Sequence, residues 1–225
     1  MKAMILAAGF GTRMGKLTQT CPKPLLVAGG QPLIFYHLQA LAKAGFQEVV
    51  INTGWLGQML EEAIQNGAEF GLQVHWSREE EPLETAGGIR KALPLLGEEP
   101  FVVVNGDIWT DLDYGQIRLP VGKLAHLVLV ANPAHNPTGD FSFAAGSNLQ
   151  PRHGVAHTFS GVGCYHPALF AHYGQEENRL GVLLRDAMQD SVVSGELFAG
   201  HWWDIGTPER LAQLDEWLQQ EATRG

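Results

Sequence analysis

Cysteine is scarce in this sequence: Cys21 and Cys164 are the only two, and no CxxC pair occurs. A disulfide-rich scaffold is therefore excluded, and we expect both thiols to be free in a reducing compartment. Long apolar runs are also missing, because no stretch approaches the roughly 20 residues that span a bilayer. The first apolar run is too short and too early for a signal peptide. Together these absences predict a cytoplasmic protein without membrane association.

Basic residues are few as well, since 15 lysines and arginines stand against 24 acidic residues and give a net charge of −9. No cluster of lysine and arginine occurs, and nucleic-acid binding requires such a basic surface. We therefore expect no nucleic-acid partner. An anionic substrate would have to be held by local cations and a divalent metal ion.

What the chain does have is a glycine-rich turn directly after its first apolar segment. Residues 2–8 predict a strand buried on both faces of a parallel sheet, and Gly9 and Gly11 allow the backbone to turn sharply. Successive N–H groups in such a turn form an anion-binding concavity. Arg13 adds a guanidinium suited to phosphate, and Lys23 adds a point charge between two prolines. The segment predicts a phosphate-binding loop.

Two common phosphate motifs do not fit this loop. A dinucleotide fingerprint needs a third glycine where Met14 stands, and an acidic residue about 20 positions further on. A P-loop needs four residues between its first glycine and a Gly-Lys pair, whereas Gly15 and Lys16 follow Gly11 too closely. An ordinary strand-to-loop turn would account for the glycines but not for Arg13.

Beyond the loop, short apolar strands alternate with helical segments, which predicts right-handed crossovers and a parallel sheet. After residue 113 strands and helices no longer alternate regularly, and residues 147–153 are polar and rich in turn formers. The fold class we predict is α/β, with a mixed, mostly parallel central sheet flanked by helices. The expected strands are 2–8, 25–27, 48–52, 73–77, 100–105, 123–131, 141–143, 158–165 and 192–198, and the expected helices are 31–45, 55–66, 85–96, 167–173, 180–189 and 208–221.

Two aspartates follow strand-like segments and are candidate metal ligands. Asp107 comes directly after the apolar strand at 100–105, and ligands of open α/β sheets lie beyond the carboxyl ends of the strands. A carboxylate there, near a phosphate-binding loop, suits Mg²⁺, although the Asn-Gly-Asp tripeptide suits a turn equally well. Asp204 precedes the last helix, where the alternative is a buried carboxylate satisfied by the helix N-terminus.

Residues 6–14 (LAAGFGTRM) and 22–25 (PKPL) resemble the signature of the sugar-1-phosphate nucleotidylyltransferases. One departure is visible, because this chain has Lys-Leu-Thr at 16–18 where the family usually has Pro-Leu-Thr. The resemblance implies one Rossmann-like nucleotidyltransferase domain over residues 1–225. Its nucleotide-binding half would be 1–113 and its sugar-phosphate-binding half 114–225.

The same resemblance implies roles for individual residues. Asp107 and Asp204 would together hold Mg²⁺, and Arg13 and Lys23 would be catalytic. Asp140 would contact the sugar, although a turn residue after a glycine is nearly as good a reading of it. The implied nucleotide contacts are Ala8, Gly9, Gly11, Thr12, Arg13, Lys23, Glu79, Gly87 and Asn105.

The segment at 79–88 reduces the number of subfamilies that the chain resembles, because Glu84 stands where most relatives have glycine. The variant Leu-Glu-Thr-x-Gly-Gly at 83–88 resembles the N-acetylmuramate-1-phosphate uridylyltransferases and also the heptose-1-phosphate guanylyltransferases. Three further sets of residues favour the former: 104–111, 127–133 with 139–141, and 158–161 with 200–202. With Glu84 at the base pocket, base preference does not carry over from the glycine-bearing relatives.

This resemblance implies Mg²⁺-dependent transfer of a uridylyl group from UTP to N-acetylmuramate 1-phosphate, giving UDP-N-acetylmuramate and pyrophosphate in peptidoglycan recycling. The partners would be small-molecule substrates, and the protein a monomer or weak homo-oligomer. The alternatives are a heptose- or mannose-1-phosphate guanylyltransferase and, from a different class, a non-catalytic nucleotide-sensing module.

N-acetylmuramate differs from N-acetylglucosamine by a lactyl ether that carries a carboxylate. The second half of the chain offers few cations for it, chiefly Lys123, Arg152, Arg179 and Arg185. We therefore expect the site to tolerate the carboxylate more than to pair with it. Discrimination between the two sugars would then be about 10- to 200-fold, as where shape alone selects.

Overall fold

A seven-stranded sheet runs through the centre of the computed structural model, which describes residues 1–81, 83–174 and 177–224. Three two-stranded sheets and seven α-helices surround it in the described ranges. The strands are β1 Ala3–Leu6, β2 Val27–Ala28, β3 Gln31–Pro32, β4 Glu48–Thr53, β5 Gln73–Arg78, β6 Phe101–Asn105, β7 Ile108–Thr110, β8 Ala125–Val130, β9 Phe141–Phe143, β10 Leu149–Pro151, β11 Thr158–Tyr165, β12 Val193–Leu197 and β13 Trp202–Asp204. The helices are α1 Leu17–Thr20, α2 Leu33–Lys43, α3 Gly57–Ile64, α4 Glu84–Leu96, α5 Pro167–His172, α6 Leu180–Gln189 and α7 Pro208–Arg224.

The strand order of the large sheet is β12-β8-β11-β6-β1-β4-β5. All neighbours are parallel except β11, which runs antiparallel to both β6 and β8. The predicted mixed, mostly parallel sheet is therefore confirmed. β1 lies in the interior of the sheet, between β6 and β4, and the loop that follows it opens at the carboxyl edge of the sheet.

The core lies on both faces of this sheet, as the continuous apolar strands require. Along β1 the side chains alternate, so that Met4 packs with Ile89 of α4 while Ile5 packs with Leu38 of α2. All four of these residues are fully buried. β1 is thereby packed between α4 and α2, and the loop after it has a rigid base.

Sequence patterns missed the smallest strands. β7 and β13 pair antiparallel across about 90 residues of chain, and three-residue strands are too short to show a period of two. The expected strand at 25–27 is instead a 3₁₀ turn, Lys23–Leu25, followed by β2. The polar segment at 147–153 contains β10, which pairs with β9.

Both cysteines are free, as predicted, with Cys164 buried inside the sheet. Within the described ranges, no helix has the length and apolar character needed to cross a bilayer.

Candidate active site

A cleft of about 410 Å³ opens at the carboxyl ends of β1 and β6. It is bounded by the glycine loop on one side and by the start of α4 on the other. Nine of the residues singled out in the sequence line it: Ala8, Gly9, Gly11, Thr12, Arg13, Lys23, Glu79, Asn105 and Asp107.

The glycine loop is shaped by one left-handed residue. Gly11 has φ of 63°, and its carbonyl accepts hydrogen bonds from Met14 N (2.8 Å) and Thr18 Oγ1 (2.9 Å). A Cβ on Gly11 would lie 2.9 Å from Thr18 Cγ2 and 3.2 Å from Lys23 Cβ. Only glycine therefore fits there, and the tight turn brings the loop against the lysine.

Gly9 differs, because no atom lies within 4 Å of the position that its Cβ would take. The protein leaves open space over this residue, on the cleft side of the loop. A phosphate group could approach its backbone closely, which a side chain would prevent.

A buried polar pair forms the floor of the cleft beyond β4. Asn52 donates from Nδ2 to Glu79 Oε1 at 2.7 Å and accepts at Oδ1 from Ala7 N at 2.7 Å. Gly88 of α4 packs directly on this pair, since a Cβ there would lie 2.6 Å from Glu79 Oε1. The carboxylate of Glu79 is thus fixed in position and presented to a ligand as a hydrogen-bond acceptor.

Glu84 occupies the first position of α4 with φ of 56°, in the left-handed region. A side chain there costs roughly 1–2 kcal/mol relative to the right-handed conformation. The glycine typical of the family at this position would avoid that cost. Glu84 also lines the cleft, so the strained residue is the one that meets a ligand.

Lys23 and Asp107 form an ion pair inside the cleft, with Nζ 2.6 Å from Oδ2. The lysine side chain is 8% exposed and that of Asp107 is 33% exposed. The 3₁₀ turn Lys23–Leu25, entered from Pro22 in extended backbone, fixes where the lysine leaves the chain. A buried cation thus stands beside the carboxylate that follows β6.

Asp204 lies next to Asp107 because β13 pairs with β7, whose first residue pairs with Asp204. Beyond that pair, Ile205 N donates to the carbonyl of Asp107 at 3.0 Å. The sequence had placed these two aspartates in separate motifs, and the small sheet brings them together. Asp204 does not itself line the cleft, but Gly206 does.

The carboxylate of Asp204 already has two partners. Arg210 donates from Nη1 to Asp204 Oδ2 at 2.5 Å, and His135 Nε2 lies 2.9 Å from the same oxygen. Arg210 is on the first turn of α7, whereas His135 belongs to the loop between β8 and β9. Neither was identified from the sequence, although Arg210 follows Asp204 by only six residues.

The donor set fits a hard divalent cation that also binds phosphate. Asp107 and Asp204 each use Oδ2 for a protein cation, and no described residue hydrogen-bonds Oδ1 of either. In the described ranges, no group of three or more His, Cys, Asp or Glu side chains could enclose a metal. Two carboxylates completed by water and substrate phosphates are typical of Mg²⁺ sites.

Arg13 and Arg210 both approach Gly206. A Cβ at Gly206 would lie 3.2 Å from Arg13 Nη1 and would overlap the guanidinium of Arg210. Arg13 is exposed at the mouth of the cleft. Two guanidinium groups therefore flank the glycine that follows the second aspartate, where charged phosphate oxygens could be held.

Two predicted contacts lie outside the cleft. Gly87 is buried in α4, where a Cβ would lie 3.0 Å from Asn178 and 3.1 Å from Leu83 Cβ. Its place in the structure is a packing position behind the cleft wall. Asp140 lies in a second cleft of about 350 Å³ with Asn136, Thr138, Gly139, Arg152 and Arg185.

Asp140 is held firmly within that second cleft. Its Oδ2 accepts from Phe159 N at 2.9 Å and from Asn136 Nδ2 at 3.2 Å. Gly139, with φ of 65°, packs against the backbone of residues 156 and 157. Both readings made from the sequence fit this geometry, because Asp140 shapes a turn and also lines a cleft.

Comparison with known proteins agrees with this geometry. A family model described as nucleotidyl transferase matches residues 2–139. The chain is 49% identical over 224 residues to N-acetylmuramate α-1-phosphate uridylyltransferase of Neisseria meningitidis, covering 95% of this chain and 96% of that protein. It is 30% identical over 226 residues to mannose-1-phosphate guanyltransferase beta-B of Xenopus laevis, covering 93% of this chain and 62% of the relative.

Solved structures agree on the fold. A Bacillus anthracis protein described as a glucose-1-phosphate thymidylyltransferase superposes with a TM-score of 0.84 at 18% identity, covering 97% of this chain and 95% of the other. A UDP-glucose pyrophosphorylase from Acinetobacter baumanii gives a TM-score of 0.79 at 18% identity, covering 99% and 97%.

Proposed function

The chain belongs to the nucleotidyl transferase family, and we propose that it transfers a uridylyl group from UTP to N-acetylmuramate 1-phosphate, releasing pyrophosphate. The observation that carries this assignment is 49% identity to the Neisseria uridylyltransferase over nearly the whole of both chains. The guanyltransferase relative is more distant and matches only part of its own length. The product would be UDP-N-acetylmuramate, a cell-wall precursor.

In this reaction an oxygen of the sugar phosphate attacks the α-phosphorus of UTP in line with the departing pyrophosphate. Such chemistry depends on positioning and on neutralising charge, with little covalent work for the protein. The open backbone at Gly9 supports binding of the triphosphate. Arg13 would hold the leaving pyrophosphate, and Lys23, buried beside Asp107, would neutralise charge near the attacking phosphate.

Family members generally use a divalent metal ion, and we propose Mg²⁺ on Asp107 and Asp204. The ion would supply charge neutralisation at phosphate oxygens of both substrates. The chain's own contribution is to keep the two carboxylates adjacent through the β7–β13 ladder. Lys23 and Arg210 hold these carboxylates in place.

The base would lie between the glycine loop and α4, where Glu79 and Glu84 line the cleft. Glu79 can accept a hydrogen bond from a base N–H, because Asn52 and the Leu83 amide fix its orientation. Gly87 would act on this site only indirectly, by letting α4 pack closely. We further propose that residues 1–113 bind the nucleotide and that residues 114–225 bind the sugar phosphate, with Asp140 as a sugar contact.

A grid of UTP, dTTP and GTP against N-acetylmuramate, N-acetylglucosamine, mannose and heptose 1-phosphates, read by pyrophosphate release, tests the assignment. The expected result is fastest turnover with UTP and N-acetylmuramate 1-phosphate. Good turnover of mannose or heptose 1-phosphate with GTP, and none with the expected pair, would replace the assignment by a guanylyltransferase. No pyrophosphate release from any pair would favour a non-catalytic nucleotide-binding module.

A further inference from the structure

Two arginines from distant parts of the chain line the second cleft together with Asp140. Arg152 directly follows β10, whereas Arg185 lies on α6. In a chain with 15 basic and 24 acidic residues, two guanidinium groups around one cleft of about 350 Å³ form a local concentration of positive charge.

Neither guanidinium has a carboxylate partner among the residues that the structure describes. Arg185 donates to the carbonyl of Gly181 at 3.1 Å and lies over the ring of Phe141, with Cζ 5.6 Å from the ring centroid. Arg152 forms no hydrogen bond or ion pair within the described ranges. By contrast Arg78, Arg179 and Arg210 are each paired with an acid. The two cleft arginines therefore remain available to an anion.

Asp140 does not neutralise them. Pro151 of β10 pairs antiparallel with Phe141 of β9, so Arg152, just after β10, lies opposite Asp140, just before β9. Residues opposite each other on two strands share a face, yet these two form no ion pair. Asp140 Oδ2 is instead committed to Phe159 and Asn136. The cleft thus carries two positive charges against one negative charge.

The second cleft lies close to the proposed phosphate site. Gly161 of β11 packs on Asn105 of the first cleft, and Asp140 binds the same strand two residues earlier, at Phe159. β11 therefore contacts residues that line both clefts. In addition, His135 contacts Asp204 while its neighbour Asn136 lines the second cleft. The second cleft therefore adjoins Asp204 through two consecutive residues and Asn105 through one strand.

We propose that Arg152 and Arg185 bind the carboxylate of the lactyl ether of N-acetylmuramate, and so select this sugar over N-acetylglucosamine. This inference rests on the proposed function. Guanidinium groups match a carboxylate in geometry and charge, and the two reach the cleft from different elements. From the sequence we expected the site only to tolerate this carboxylate. The proposal instead has the two arginines select the sugar by its charge. The wild-type preference between the two sugars should therefore exceed the roughly 200-fold available to shape alone.

The test compares kcat/KM for N-acetylmuramate 1-phosphate and N-acetylglucosamine 1-phosphate in R152Q, R185Q and the double variant. Each single change should lower kcat/KM for N-acetylmuramate 1-phosphate by about 10- to 100-fold, the usual worth of a charge-assisted contact. The value for N-acetylglucosamine 1-phosphate should change far less. R185K keeps a cation over Phe141 and should retain part of the preference. Arg78→Gln, a matched change at a surface pair with Glu61, should leave the preference intact.

The possible outcomes distinguish a failure of the subsite proposal from a failure of the proposed function. If the double variant keeps the wild-type preference, the two arginines do not bind the lactyl group and the proposal is wrong. If both sugars lose activity equally, the arginines support the fold or the chemistry, which also overturns it. If the wild-type protein turns over N-acetylglucosamine 1-phosphate but not N-acetylmuramate 1-phosphate, both the subsite and the proposed substrate fall.

Discussion

Lys23 Nζ lies 2.6 Å from Asp107 Oδ2, and this pair joins the glycine loop to the end of β6. The lysine is almost fully buried, and it places a positive charge directly beside the carboxylate. In the proposed complex, Asp107 would bind the divalent cation and Lys23 would bind phosphate oxygens. Lys23 and Asp107 are therefore already positioned as one part of the proposed phosphate site.

Asp107→Asn and Asp204→Asn should each abolish turnover while leaving the fold intact. An amide keeps the shape of the carboxylate but removes the charge that would bind the metal, which should cost about 100-fold or more in rate. The measurement is pyrophosphate release at saturating Mg²⁺, alongside thermal unfolding. Asp190→Asn, at an exposed pair with Tyr173, is the matched control. Near wild-type rates in either variant would remove that residue from the metal site.

Arg13→Ala and Lys23→Ala should have different kinetic effects. Arg13 would act mainly as charge develops on the leaving pyrophosphate, so its loss should lower kcat strongly. Loss of Lys23 should impair the use of both substrates, because the lysine stands where the two phosphates would meet. Steady-state kinetics with each substrate varied separates the two effects. A rise only in the KM for UTP in Arg13→Ala would contradict the transition-state role.

Gly9→Ala and Gly11→Ala should separate ligand access from folding. Alanine at position 9 meets no protein atom within 4 Å, so the melting temperature should stay unchanged while the KM for UTP rises about tenfold or more. Alanine at position 11 would be strained at φ of 63° and would contact Thr18, so it should destabilise the fold. Unchanged nucleotide kinetics in Gly9→Ala would show that no phosphate approaches this backbone.

Glu84→Gly should relieve backbone strain and relax base selection together. Removing a left-handed side chain gains roughly 1–2 kcal/mol, partly offset by the entropy of glycine, so the free energy of unfolding should rise by at most about 1 kcal/mol. Discrimination of UTP from other triphosphates should fall about tenfold, because a side chain leaves the cleft. Gln65→Gly is the control, since Gln65 has φ of 54° outside the cleft. Unaltered base preference in Glu84→Gly would exclude Glu84 from selection.

His37 should make stability depend on pH between about 6.5 and 4. Burial lowers the pKa of His37 to about 4, although its hydrogen bond to Ile108 and the nearby Asp107 oppose that shift. The unfolded chain binds the proton below pH 6.5 while the native imidazole stays neutral, so stability falls as pH falls through this window, by up to about 3 kcal/mol. The loss should level off below pH 4.

Chemical denaturation of His37→Gln across this range checks the dependence on pH. Glutamine keeps a donor for the Ile108 carbonyl, which His37 Nε2 contacts at 2.9 Å, but it does not titrate. The acid slope should flatten in this variant and remain in His172→Gln, a change at an exposed position. An equal slope in His37→Gln and the wild type would contradict the assignment.

Long periodic elements were readable from the sequence, whereas contacts between distant segments were not. β11 and α6 have the predicted bounds, because each is long enough to show its pattern and is flanked by turn formers. The pairing of β7 with β13 carries no local signal, yet it brings Asp107 beside Asp204. The same limit hid Arg210 and His135, whose importance comes from meeting one carboxylate in space. The second cleft likewise depends on two arginines 33 positions apart.

The antiparallel direction of β11 has a consequence for how specificity could change. Val130 at the end of β8 pairs with Thr158 at the start of β11, so the chain leaves and re-enters the sheet at adjacent residues. The intervening excursion, 131–157, contains Asp140 and Arg152 and adds no strand to the large sheet, which it meets at an isolated bridge between Asn148 and Ser194 of β12. Segments whose ends meet in this way can be exchanged with little effect on the scaffold. The acceptor specificity of this enzyme family could therefore diversify through changes in this segment beyond His135, which contacts Asp204, while the glycine loop after β1 stays untouched.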